Sequence, residues 1–123
     1  MVTGAIITRT IEAAREHGAC VAAMPVKDTI KVADANGFAV MTPDRSTLWQ
    51  MQTPQTFVYE LVYNAYTKLL SDESYQKGIT DDAMVVESMC GRNVKLVEGS
   101  YENIKVTTPE DMIVAESFLN RRK

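Results

Sequence analysis

The feature that most constrains this chain is an unbroken run of small and apolar residues, Ala19-Cys20-Val21-Ala22-Ala23-Met24, placed directly after a helix-like segment. A run of this length without polar alternation is the pattern of a strand buried on both faces rather than of a half-exposed edge. Before it, Ile6, Ile7, Ile11 and Ala14 fall on one face of a helix over Thr3 to His17. Thr3 can cap the start of that helix and Gly18 can close it. Helix followed by buried strand points to a layered α/β domain.

The rest of the chain extends that order. Ile30 and Val32 alternate with polar or small residues within Asp28-Thr29-Ile30-Lys31-Val32-Ala33, and Asn36-Gly37 separates this stretch from Phe38-Ala39-Val40-Met41-Thr42. Asn-Gly tolerates the positive φ angles of tight hairpin turns, so a two-stranded ribbon is expected. Such a ribbon is marginal in water by itself, which predicts that it lies on another subunit of a homodimer. Residues 44–55 read as irregular and polar apart from Leu48, Trp49 and Met51. A helix over 58–70 follows, its inner face formed by Phe57, Leu61, Ala65 and Leu69. A third helix is predicted over 81–90, with Thr80 as cap and Gly91 after its end. Short strands are predicted at 94–97 and 103–106. A last helix begins at Thr108, with Pro109 in the first helical position, Asp111 where a capping-box acid belongs, and a basic end at Arg121-Arg122-Lys123. The expectation is one domain over residues 1–123 with a largely parallel sheet and a protruding arm at about 25–56.

Composition narrows the function classes. With 46% hydrophobic and 24% charged residues the chain has the profile of a folded domain. Sixteen acidic against 13 basic side chains, a net charge of −3, argue against a surface that neutralises a nucleic-acid backbone. No apolar stretch approaches the roughly 20 residues of a membrane span. Arg9, Glu12 and Arg15 interrupt any leader-like pattern at the start, so a cytoplasmic location is the default expectation. Cys20 and Cys90 show no metal-binding spacing and are expected to be free structural thiols. The single histidine, His17, supports no Ser/His/Asp set and is read as part of a helix end.

Four blocks occur in order along the chain: Pro25-Val26-Lys27-Asp28-Thr29-Ile30-Lys31; Asp44-Arg45-Ser46-Thr47-Leu48-Trp49 leading into Gln52-Thr53-Pro54-Gln55; Thr80-Asp81-Asp82-Ala83; and Asn103-Ile104-Lys105-Val106-Thr107-Thr108-Pro109-Glu110-Asp111. Together they resemble the carboxy-terminal two-thirds of the 2-C-methyl-D-erythritol 4-phosphate cytidylyltransferases of non-mevalonate isoprenoid biosynthesis. The resemblance implies a Rossmann-like nucleotidyltransferase fold whose hairpin arm reaches into the neighbouring subunit of a homodimer. It implies the reaction of CTP with methylerythritol phosphate to give the cytidine diphosphate product and pyrophosphate, assisted by magnesium. By the same resemblance, Thr29, Arg45 and Thr53 match positions that hold the polyol phosphate, partly in trans, and Lys105 matches the lysine that steadies charge on the α-phosphate. The family's glycine-rich triphosphate loop, and the short Asp- and Arg-containing block with the expected metal ligand, would precede Thr3 and are not in this chain, so weak or no activity of the chain alone is expected.

The residue chemistry is compatible with these roles but does not demand them. Lys105 offers a compact ammonium and Arg45 a planar fork of donors matched to phosphate, with a pair to the neighbouring Asp44 as the structural alternative for the arginine. Thr29 and Thr53 bring hydroxyls, although threonine is also a common strand residue. Asp81 and Asp82 are read as helix-start acids and Trp49 as an interface anchor in the arm. Two alternatives stay open: a ribitol-5-phosphate cytidylyltransferase fragment, which shares the Gln-Thr-Pro-Gln and Asn-Ile-Lys-Val-Thr blocks, and a non-catalytic, dimerising, phosphate-binding remnant.

Overall fold

The computed structural model describes residues 1–123 as helix α1 (Gly4–His17), strands β1 (Ala19–Pro25), β2 (Val32–Ala33), β3 (Ala39–Met41) and β4 (Trp49–Phe57), helices α2 (Tyr59–Leu70) and α3 (Asp82–Cys90), strand β5 (Lys95–Glu98) and helix α4 (Pro109–Arg121). The first helix begins and ends as its sequence dictates. Thr3 Oγ1 accepts from the Ile6 amide, and Gly18 adopts φ 87° while its amide donates to Ala14 O. That positive φ favours glycine, and a Cβ there would also displace the Arg92 guanidinium, whose Nη2 lies 2.6 Å from where it would sit.

Strand β1 is the centre of a three-stranded sheet ordered β4-β1-β5. Ala19 to Ala23 are completely inaccessible, as the apolar run requires. Ala19 joins Ala65, Leu69, Val85 and Val86 in the core formed with α2 and α3. Its neighbour Cys20 points to the other face, where its register partner Thr56 donates to Thr10 of α1. Helices therefore cover both faces, and the fold is α/β as expected. Burial pushes the Cys20 thiol pKa up, with Lys95 opposing; both cysteines are free. No helix is long and apolar enough to cross a membrane.

Three local expectations are corrected. The segment read as irregular before α2 contains β4, antiparallel to β1, so the sheet is mixed and the parallel pairing is confined to β1 with β5. Polar residues and Pro54 hide this strand in the sequence; it exists because β1 supplies a ladder on both sides of an irregularity opposite Ala22. The segment 103–106 is not a strand: the last rung on that side is Gly99 N to Ala23 O at 2.9 Å, after which the chain turns away. Helix α3 is capped by Asp81, whose carboxylate accepts from the Met84 amide, and not by Thr80.

The hairpin is present but short. Asp34 Oδ1 accepts from the amides of Asn36 and Phe38, Gly37 sits at φ 85°, and Lys31 Nζ donates across the ribbon to Thr42 Oγ1. Phe38, Val40 and Met41 are 70%, 60% and 56% exposed on it. Helix α4 carries the complete capping box, Thr108 Oγ1 accepting from the Asp111 amide and the Asp111 carboxylate from the Thr108 amide. The Thr107 amide, followed by that of Thr108, donates to the Asp111 carboxylate and holds its carboxyl below the ordinary value.

Leu69 and Leu70 are sequence neighbours about 100° apart around α2, one turned to the core and the other to solvent, 6% and 69% exposed. Leu69→Ala is expected to lower unfolding free energy by about 3 kcal/mol in urea titration. Leu70→Ala should change it by less than about 0.5 kcal/mol. Equal effects would contradict this packing.

Candidate functional site

The site is built around an irregularity in β4. Gln55 pairs with Val21 and Met51 with Ala23, so Gln52, Thr53 and Pro54 together face Ala22 alone. This bulge accommodates Pro54, which has no amide to give a ladder, and it breaks the pairing of the residues beside it. Its polar groups find other partners. Gln55 Oε1 accepts from the Ala83 amide and its Nε2 donates to Asp81 Oδ2, each at 3.0 Å, so one amide side chain completes the cap of α3. Asn103 Nδ2 donates to Thr53 O at 2.7 Å and to Gln52 Oε1 at 3.2 Å.

Between the bulge, the start of α3 and the Asn103 loop lies a cleft of about 420 Å³ lined by Met51, Gln52, Thr53, Gln55, Thr80, Asp81, Asn103 and Lys105. Seven of these eight are polar, which suits a hydroxylated, charged ligand of modest size. Thr53 and Lys105, far apart in sequence, are brought together here. The Thr53 hydroxyl and the Lys105 ammonium have no hydrogen-bond or ion-pair partner in the chain, and both residues are exposed to the cleft. The other two candidates lie elsewhere. Thr29 is exposed on the arm, and Arg45 sits in a short helical turn (Arg45–Thr47) at its base, where Nη1 donates to Lys27 O at 2.8 Å. Asp44 does not pair with Arg45; its carboxylate accepts from Ser46, which holds its carboxyl below the ordinary range. The arm is rooted further by Tyr101, which donates to Pro25 O and receives the Lys27 ammonium 4.0 Å over its ring.

The sequence reading assigned no role to Gln52, Gln55 or Asn103. The available signal was two amide side chains flanking Thr53-Pro54, too polar for a strand unless its backbone departs from the ladder. Asp81 and Asp82 act as helix-start acids, Asp81 as the cap and Asp82 as acceptor for the Tyr66 hydroxyl. His17 closes α1, where its carbonyl accepts from Arg92 Nε and Nη2. The cleft does not fit a magnesium site. Its one carboxylate, Asp81, already has both oxygens engaged by Met84 and Gln55, so no step below is routed through a metal.

The Tyr66–Asp82 hydrogen bond ties α2 to the start of α3 and pushes the phenol pKa up to about 12. A raised folded-state value means the bond's contribution is complete below the ordinary value of 10 and is lost as pH rises through about 12. Ultraviolet titration of the phenols should show one ionising near pH 12, and Asp82→Asn should bring it back toward 10. An unchanged titration in that variant would contradict the assignment.

The profile of the 2-C-methyl-D-erythritol 4-phosphate cytidylyltransferase family matches residues 1–121. A protein of that name from Alkaliphilus oremlandii is 50% identical over 123 residues, covering 100% of this chain and 50% of its own length. One from Lachnospira eligens is 54% identical over 114 residues, 93% of this chain and 50% of its own. Among solved structures, the 4-diphosphocytidyl-2C-methyl-D-erythritolsynthase of Anaerococcus prevotii superposes with a TM-score of 0.88 at 36% identity, over 98% of this chain and 52% of that one. The 2-C-methyl-D-erythritol 4-phosphate cytidylyltransferase of Thermus thermophilus does so with a TM-score of 0.80 at 30% identity, over 96% and 56%. The chain thus spans about half the length of the curated relatives it matches, less than the two-thirds expected from the resemblance. Because the matches take in both the bulged strand and the Asn103–Lys105 segment that build the cleft, and the fold agrees with them throughout, the chain belongs to the 2-C-methyl-D-erythritol 4-phosphate cytidylyltransferase family.

Proposed function

We propose that this chain supplies the polyol-phosphate side of a cytidylyl transfer, in which a phosphate oxygen of 2-C-methyl-D-erythritol 4-phosphate attacks the α-phosphorus of CTP. A new phosphorus–oxygen bond forms, the bond to the bridging oxygen between the α- and β-phosphates breaks, and pyrophosphate leaves. Such transfers depend on positioning and on cations set where charge accumulates. Lys105 is the cation of the cleft and steadies the α-phosphate; Thr53 donates its hydroxyl to the polyol phosphate. The observation that carries this reading is that these two groups, both without internal partners, line one polar cleft in a member of this family.

Thr29 and Arg45 fit the same reading in trans. The arm that bears Thr29 has Phe38, Val40 and Met41 exposed, a surface suited to burial against a second copy of the chain. In such a homodimer the arm, with Trp49 as an anchor at its base, carries Thr29 and Arg45 toward the partner's cleft. The family's name favours methylerythritol phosphate over ribitol 5-phosphate as the polyol. Magnesium enters the reading only as the family's assisting ion.

A second reading, a dimerising phosphate-binding unit without turnover, is favoured by the charge of the cleft. Lys105 is the only cation among the lining residues, and Asp81 lies with it on the same cleft, a weak match for a triphosphate.

Purified chain incubated with CTP, magnesium and either polyol phosphate, followed by phosphorus NMR, separates these readings. The first expects the cytidine diphosphate product, formed slowly by the chain alone, from methylerythritol phosphate in preference to ribitol phosphate. Lys105→Met should lower the rate by about 100-fold or more, and Thr53→Val should act chiefly on the KM for the polyol phosphate. Saturable binding of methylerythritol phosphate without product, by a chain that sediments as a dimer, would establish the second reading.

A further inference from the structure

Resting on the assignment of Thr53 and Lys105 to the polyol-phosphate site, we propose that Gln52 is a positioning residue that locks the two walls of the cleft together. The bulge removes the ladder bonds that would otherwise hold Gln52, Thr53 and Pro54 against β1. The Gln52 side chain replaces them with bonds to the opposite wall. Its Nε2 donates to Ser100 O at 2.8 Å, and its Oε1 accepts from the Ser100 amide at 3.3 Å and from Asn103 Nδ2 at 3.2 Å. Asn103, 8% exposed, returns the connection by donating to Thr53 O. The circuit is closed: bulge side chain to loop backbone, loop side chain to bulge backbone.

Gly99 is part of the same device. A Cβ there would overlap Gln52 Oε1, so the absence of a side chain is what lets the amide reach the loop. The Gly99 amide meanwhile holds Ala23 O, which fixes the loop's start to β1. On the far side, the Thr107 and Thr108 amides both donate to the Asp111 carboxylate at the α4 cap. Lys105 therefore hangs midway between two fixed points, Asn103 and that cap. Releasing Gln52 frees one of them, together with the Thr53 backbone, while leaving the core cluster around Leu69 untouched.

The test combines hydrogen exchange with ligand titration in Gln52→Ala, Gly99→Ala and the double variant. The informative amide is that of Asn103, because its acceptor is Ser100 O and not Gln52 itself. Gln52→Ala should speed its exchange by about tenfold or more, while amides of β1 and α2 change by less than about twofold. Equal acceleration everywhere, or none at Asn103, would overturn the proposal. In calorimetric titration with 2-C-methyl-D-erythritol 4-phosphate, each single variant should weaken binding by about tenfold. Because both act through one contact, Gly99→Ala should add less than about twofold in the Gln52→Ala background, where the space is vacant. Penalties that multiply would sink the shared-contact argument. If the parent chain does not bind the polyol phosphate while Asn103 responds as expected, the function reading falls and the clamp stands.

Discussion

Everything in this molecule is arranged around the complete burial of β1. A strand with five successive inaccessible residues cannot satisfy its backbone with water, so both its edges must be paired and both its faces covered. β4 and β5 supply the edges, α1 one face, and α2 with α3 the other. Small side chains dominate the strand, which lets the helices approach closely; the larger contributions come from Leu69, Val85 and Val86 on one side and Ile6 on the other.

The same burial explains why the candidate site stands where it does. β4 follows β1 on both sides of the bulge, and the ladder gives way only where Gln52, Thr53 and Pro54 crowd opposite Ala22. One backbone group there, the Thr53 carbonyl, turns to a side chain of the later connection. Gln55 finishes the cap of α3 and Asn103 the bulge itself. A single departure from regular pairing thus gathers a strand, a helix start and a loop at one cleft. Thr53 and Lys105, the two groups of the cleft left without internal partners, are two of the four residues that the family resemblance matches to substrate positions.

The arm obeys different physics. Its two short strands carry their own turn chemistry at Asp34 and Gly37, and its root is fastened by Tyr101, Lys27 and Arg45. Its apolar side chains have nothing within the chain to cover them. Arg45, for which a pair with Asp44 was the structural alternative to phosphate binding, instead holds the segment leading into the arm through the Lys27 carbonyl, and Asp44 serves its own turn.

What the sequence by itself determined is what short-range chemistry controls. The caps of α1 and α4, the buried character of β1, the inner face of α2 and the Asn36-Gly37 turn all follow from residues within a few positions of one another. The four ordered blocks also determined the family. Only the tertiary structure decided that the polar stretch before α2 is a strand, that residues 103–106 are not, and that Asp81 rather than Thr80 caps α3. In each case the deciding partner is distant in sequence: β1 for the strand, the bulge for Asn103, and Gln55 beside Asp81 at the helix start. Local pattern can signal which groups need partners, but where a bulge or loop leaves those groups unpaired, the choice among partners is made by packing.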